Sequence, residues 1–198
     1  MRDMRIALCN GYEMKISENR KIRIADEAGR GAGCIVYDAI YWDQMQIKHK
    51  IRVRECYPAY IQLTRAATGE LVPSGNPEKF EKAKNRFTDA YKRNTDIRNT
   101  LGLTNSTVNA VDVISCNHTV YILLPMDEGI DYRYYEDQSL QELFRHMKSL
   151  AQIILKYHQK GYLHLDIKPE NVLILPETPE HVILFDFDSV TRSEEHTS

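Results

Sequence analysis

His164-Leu165-Asp166-Ile167-Lys168-Pro169-Glu170-Asn171, followed downstream by Asp186-Phe187-Asp188, is the stretch on which the reading of this chain turns. Asp166, Lys168, Asn171 and Asp186 make a compact set of charged and amide groups in an otherwise apolar neighbourhood. Leu163, Leu165 and Ile167 alternate with Tyr162, His164 and Asp166. That period of two predicts a short strand with Asp166 on the face opposite its leucines. Val172-Leu173-Ile174-Leu175 and Val182-Ile183-Leu184-Phe185 are apolar β-formers around the loop signal Pro176-Glu177-Thr178-Pro179-Glu180. Folded back as a hairpin centred on that loop, they set Leu175 against Val182 and Asn171 against Asp186. An amide oxygen and a carboxylate then lie side by side, next to the loop bearing Asp166 and Lys168. Hard oxygen ligands in small number suit Mg²⁺ held jointly with substrate phosphates, rather than an all-protein cage.

The pattern H-L-D-I-K-P-E-N followed by D-F-D resembles the catalytic loop and metal-binding motif of the protein-kinase superfamily, whose usual forms are H-R-D-x-K-x-x-N and D-F-G. The resemblance runs from about Ile24 to Val190. It implies an α+β, protein-kinase-like bilobal fold: a complete antiparallel-sheet N-lobe plus the first part of a helical C-lobe. It also implies ATP and Mg²⁺ as cofactors. Asp166 would orient a substrate hydroxyl and accept its proton, and Lys168 would stabilise charge on the transferred group. Asn171 and Asp186 would hold the metal. Two departures stand inside the motifs: Leu165 replaces the usual arginine, and Asp188 replaces the glycine of D-F-G.

Upstream of that stretch, Ser139-x-x-Glu142 is a capping box opening a helix, with Gly161 as its stop. Leu140, Leu143, Phe144, Met147, Leu150, Ala151, Ile154 and Tyr157 fall on one apolar face, expected to be core. His146 and His158 are expected to be surface or packing residues. Leu124-Pro125-Met126-Asp127-Glu128-Gly129 resembles the hinge between lobes, with the Pro125 carbonyl and the Asp127 N–H as the adenine-facing groups. Val111 to Ser115 and Thr119 to Leu124 read as strands around a Cys116-Asn117-His118 turn. Pro77 to about Thr100 is a charged helix with Phe80, Ala83, Phe87, Ala90 and Tyr91 at helical spacing. By resemblance it is the regulatory helix, with Ala90 at the position of its glutamate and Asp89 adjacent. Thr64 to Pro77 reads as a polar connecting loop.

Ile51 to Glu55 reads as a strand resembling V-A-I-K, with Arg54 where the phosphate-pairing lysine stands; charge is kept, but a planar fork replaces a point charge. Lys21 to Ala25 and Cys34 to Tyr41 read as strands joined by Glu27-Ala28-Gly29-Arg30-Gly31-Ala32-Gly33. Alternate glycines let backbone N–H groups approach a phosphate. The segment resembles the phosphate-covering loop of kinases: Gly29 and Gly31 fill the first two glycine positions and Cys34 the third, with Gly33 one residue early. Val36 follows as the apolar contact to the nucleotide. Met4 to Cys9 reads as a strand leading into Gly11.

The organisation expected is residues 1–127 as the N-lobe, 128–191 as a partial C-lobe, and 192–198 as a non-native-looking tail, the native sequence ending near Thr191. The 198 residues carry 26 basic and 28 acidic side chains, a net charge of −2, which gives no sign of a nucleic-acid or anionic-membrane partner. Four scattered cysteines, Cys9, Cys34, Cys56 and Cys116, are expected to be reduced thiols. No apolar run reaches signal-peptide or membrane-spanning length, so a cytoplasmic location is expected. Three functions follow. The first is a protein kinase domain fragment whose full-length parent acts on Ser/Thr hydroxyls of a protein substrate, this stretch by itself being expected to be inactive; Lys168 two residues after Asp166 favours it. The second is a small-molecule kinase of the aminoglycoside or choline type, whose relatives generally lack that lysine. The third is a non-catalytic nucleotide-binding module, to which Arg54 and Cys34 point.

Overall fold

The computed structural model describes residues 3–101, 112–126, 129–135, 139–175, 181–185 and 189–193. Two compact units emerge: Met1–Asp89 with Ala110–Met126, and Ala90–Asn109 with Asp127–Ser198.

The first unit is built on a curled six-stranded antiparallel sheet. Its strands are β1 (Glu13–Lys15), β2 (Lys21–Arg30), β3 (Cys34–Trp42), β4 (Lys48–Cys56), β7 (Asp112–Cys116) and β8 (Thr119–Pro125), in the spatial order β1-β2-β3-β4-β8-β7. Alternation explains the sheet: Ile35, Tyr37 and Ala39 of β3 stand opposite Glu55, Val53 and Ile51 of β4, and all six are buried. A two-residue turn with Asn117 and His118 at positive φ (51° and 58°) joins β7 to β8, the hand that matches strand twist.

Three expectations in this unit need correction. Met4 to Cys9 is not a strand, because side chains rather than a ladder satisfy its surroundings. Arg5 donates to the carbonyls of Gly31 (2.9 Å), Cys34 (3.3 Å) and Tyr57, and the Leu8 N–H donates to the Tyr37 hydroxyl at 3.1 Å. Gly29 lies inside β2 rather than in the turn; register shifts near Asp26 and Glu27 let pairing continue to Arg30 opposite Ile35. The stretch from Thr64 to Pro77 is not all loop, since β5 (Leu63–Arg65) and β6 (Leu71–Pro73) pair as a small hairpin.

Helix α1 (Pro77–Leu101) starts as its sequence suggests, with Pro77 in the first turn and the Asn76 side chain accepting from the Glu78 N–H at 2.8 Å. Phe80, Ala83, Phe87 and Tyr91 are buried, as their spacing requires.

In the second unit, α2 (Leu140–Gln159) carries the capping box at Ser139 and Glu142, and the chain turns away at Gly161 with φ 73°. Short strands follow: β9 (Ile130–Asp131), β10 (Tyr162–Leu163), β11 (Val172–Ile174), β12 (Val182–Leu184) and β13 (Thr191–Arg192). The core gathers Ile97, Ile153, Tyr157, Val172, Ile174, Val182, Leu184 and Val190. The α2 face expected as core is open over its first half: Leu140 is 70% exposed, Phe144 67% and Met147 55%, while Tyr157 of that face is buried, together with His146 and Ile153 from outside it. Periodicity finds apolar stripes on a helix, and α2 has two of them; only one is covered.

Hairpin register is the second correction here. Val172 pairs with Leu184 and Ile174 with Val182, one residue from the expected alignment. Asn171 therefore stands against Phe185, whose N–H donates to the Asn171 carbonyl at 2.9 Å. The observed alignment puts Val172, Ile174, Val182 and Leu184 on one face, all inside the core; a one-residue slip would split them between faces. The strand expected through Asp166 stops at Leu163. Beyond it His164 is buried and Leu165 is 52% exposed, the reverse of the expected alternation, because Leu165 adopts φ 61°. No helix among the described residues is long and apolar enough to cross a membrane.

Candidate active site

In the second unit, Lys168 leads into a single 3₁₀ turn, Pro169–Asn171, whose proline suits a helical first position. The turn closes through the Asn171 N–H on the Lys168 carbonyl at 2.9 Å. It throws three polar side chains together. Lys168 Nζ donates to Asp166 Oδ2 at 2.7 Å. Asn171 Nδ2 donates to the same oxygen at 3.0 Å and to the Asp166 carbonyl at 2.8 Å. Asn171 is buried, whereas Asp166 is half-buried and Lys168 exposed, so the carboxylate sits at the surface on a fixed base. Tyr157 meets the buried His164 ring edge-on, with centroids 6.2 Å apart, which makes His164 a packing residue beneath the loop.

Geometry sets the charge state of Asp166. The Lys168 hydrogen bond, helped by the Asn171 amide and the Lys168 charge, holds this carboxyl below its ordinary value against partial burial, which raises it. Folding thus favours the ionised form. Its stabilising contribution is complete above the ordinary aspartate value of about 3.9 and is lost as pH falls through the lower folded value. Replacing Lys168 by methionine removes the main cause, so the Asp166 midpoint should rise toward the ordinary range in an NMR titration of the carboxyl carbon. An unmoved midpoint would contradict the ion pair.

With its amide nitrogen committed to Asp166, Asn171 keeps a carbonyl-type oxygen as its ligand atom, the hard donor that Mg²⁺ prefers. Asn171 is thus of a donor type that fits Mg²⁺. Asp186, the second expected ligand, lies outside the described residues, as do Phe187 and Asp188.

In the first unit, Gly29, Val36, Arg54 and Ile122 stand opposite one another in a row across β2, β3, β4 and β8. A Cβ built at Gly29 or Gly33 would meet nothing within 4 Å, and one at Gly31 would lie 3.7 Å from Cys34 Sγ. The turn Gly31-Ala32-Gly33 is thus open where a ligand could approach its backbone. Arg54 is 8% exposed; its guanidinium lies over the Phe87 ring, 5.5 Å from the centroid, and donates to Cys34 Sγ at 3.4 Å. Phe87 of α1 thus lies against Arg54, and Asp89 is exposed. Pro125 is exposed at the end of β8, opposite Ile51, and Asp127 lies outside the described residues.

One constellation escaped the sequence reading. Glu55 is fully buried and accepts from the Tyr37 hydroxyl (2.8 Å), the Tyr121 hydroxyl (2.8 Å) and Arg65 (2.5 Å). Burial, and then the Glu55 charge, push both phenols above their ordinary values, so they remain donors. The missed signal was Arg54-Glu55 itself: adjacent strand residues face opposite sides, so both sheet faces had to accommodate a charge.

No family model matches the chain. It is 27% identical over 121 residues to smooth-muscle myosin light chain kinase of Gallus gallus, covering 55% of this chain and 6% of that relative. It is 35% identical over 82 residues to citron rho-interacting kinase of Rattus norvegicus, covering 38% of this chain and 4% of that relative. Among solved structures it matches PpkA-294 in its apo form with TM-score 0.70 and 22% identity, over 92% of this chain and 62% of that one. The chain thus spans a small fraction of these sequence relatives and under two thirds of that structure. The structural likeness bears on fold: a kinase-type N-lobe and part of a C-lobe. The sequence likeness is to proteins named as kinases, and with the likeness in fold it supports a resemblance to the protein-kinase superfamily.

Proposed function

We propose that this chain is part of an ATP-dependent protein kinase that transfers the γ-phosphoryl group to Ser/Thr hydroxyls of a protein substrate, in the cytoplasm. The observation that carries the reading is the cluster of Asp166, Lys168 and Asn171, gathered where the loop enters one 3₁₀ turn. Phosphoryl transfer asks little covalent chemistry of a protein and much positioning and charge neutralisation. Asp166, held ionised, orients the attacking hydroxyl and takes its proton. Lys168, already beside that carboxylate, neutralises charge developing on the transferred group. Asn171 and Asp186 are the proposed Mg²⁺ ligands; a bound Mg²⁺ supplies neutralisation of the phosphate oxygens.

Residues 1–127 are the proposed nucleotide-binding part and 128–191 the catalytic part. Gly29, Gly31 and Gly33 offer backbone to the phosphates, Val36 packs on the base, and the Pro125 carbonyl and Asp127 N–H meet its edge. Arg54 supplies the phosphate charge. Arg54→Met should weaken ATP binding by about tenfold, the loss of one charge-assisted hydrogen bond, while Arg54→Lys should retain most of it. Calorimetric titration of each variant checks this; equal affinity for wild type and Arg54→Met would contradict the role.

Incubation of the full-length protein that contains this chain with radiolabelled ATP, Mg²⁺ and peptide libraries presenting Ser, Thr or Tyr tests the reading. Label on Ser and Thr is expected. Label confined to an aminoglycoside or choline panel would favour the small-molecule reading. Nucleotide binding without transfer to any acceptor would favour a non-catalytic module, the reading to which the Phe87 ring over Arg54 lends weight.

A further inference from the structure

Cys34 and Cys56 are directly opposite each other on β3 and β4, and both are buried. The Tyr57 N–H donates to the Gly33 carbonyl at 3.1 Å, which makes Gly33 and Tyr57 the hydrogen-bonded pair of that ladder. Cys34 and Cys56, one step along, are then a non-hydrogen-bonded pair. Such pairs bring Cα atoms to about 4.5 Å with side chains on the same face. That separation falls within the range a disulfide spans, about 4.4–6.8 Å. Neither cysteine is in a disulfide in this structure. Cys34 Sγ also accepts from Arg54, and the turn above it is the open Gly31-Ala32-Gly33 segment.

We propose that Cys34 and Cys56 are a modification site: a dithiol that a peroxide oxidant closes to a disulfide, with loss of nucleotide affinity. Attack of the Cys34 sulfur on hydrogen peroxide breaks the O–O bond, leaving a sulfenic acid on Cys34 and releasing water after proton transfer. The Cys56 sulfur then attacks Cys34; the S–S bond forms, the S–O bond breaks, and the hydroxyl leaves as a second water with the Cys56 proton. Two thiols have lost two hydrogens and one peroxide has become two waters. A dithiol reductant reverses the bond by exchange. Closure draws Cys34 away from the guanidinium of Arg54 and ties the base of the glycine turn to β4. The effect on affinity rests on the nucleotide-binding reading of Arg54 and the turn; the bond itself does not.

The full chain is treated with hydrogen peroxide, alkylated and digested, and MgATP affinity is titrated before oxidation, after it, and after dithiothreitol. A cross-linked peptide pair joining Cys34 to Cys56 is expected. Oxidised protein should bind MgATP about tenfold more weakly, the worth of one charge-assisted hydrogen bond, and dithiothreitol should restore it. In Cys56→Ser, Cys34 should be trapped by dimedone as the sulfenic acid. Oxidation of the exposed Cys9 with no cross-link at Cys34 would overturn the proposal, as would a cross-link that leaves affinity unchanged. Reduced protein that fails to bind MgATP would instead defeat the nucleotide reading, leaving the cross-link alone to decide the thiol site.

Discussion

Replacing Arg65 with methionine should destabilise the first unit by about 3–5 kcal/mol, the usual consequence of stranding one partner of a buried ion pair. Glu55 is fully buried and Arg65 nearly so, with a 2.5 Å contact between them. Without Arg65, the carboxylate would keep only the two phenol donors of Tyr37 and Tyr121. Arg65 also ties distant chain together, donating to the carbonyls of Ile6 and Gly69 at 2.7 Å each. Urea unfolding followed by fluorescence measures the loss. The double variant Glu55→Leu with Arg65→Met should lose less than Arg65→Met alone, because no charge is left buried. A single-variant effect under about 1 kcal/mol, the range of an exposed pair, would mean that this network contributes little.

Asp166→Asn should lower phosphoryl transfer by about 10²–10⁴-fold, the range for removing a positioned general base. ATP affinity should stay within about twofold, since the part proposed for the carboxylate is in the reaction and not in holding nucleotide. The amide is nearly isosteric and can still meet Lys168 and Asn171, so folding should survive, which a melting curve would verify. Single-turnover transfer and a separate ATP titration divide the two effects. A variant that loses binding and transfer in parallel would assign Asp166 to nucleotide binding rather than to the hydroxyl.

Local chemistry was legible where local chemistry decides. Ser139 and Glu142 announced the start of α2, and the helical spacing of Phe80, Ala83, Phe87 and Tyr91 announced α1 from Pro77. Asp166, Lys168 and Asn171 were readable as a group because they lie in one short loop, within reach of one another whatever the rest of the fold does. Tertiary choices were not readable. Hairpin register depended on which face of Val172 to Ile174 met Ile153 and Tyr157, a matter of packing and not of loop position. Leu140, Phe144 and Met147 had the spacing of a core stripe, yet spacing does not say what lies against a stripe. Glu55 merely ended the strand read from Ile51; Arg65, ten residues on, and the hydroxyls of Tyr37 and Tyr121 explain its burial.

Calorimetric titration of the chain with ATP, with Mg²⁺ and then with excess chelator, alongside Asn171→Ala, tests the assignment of the Asp166–Asn171 turn most directly. The account predicts binding that depends on Mg²⁺ in the wild type and loses that dependence in Asn171→Ala. Equal ATP affinity with and without Mg²⁺, unaffected by the Asn171 change, would contradict it.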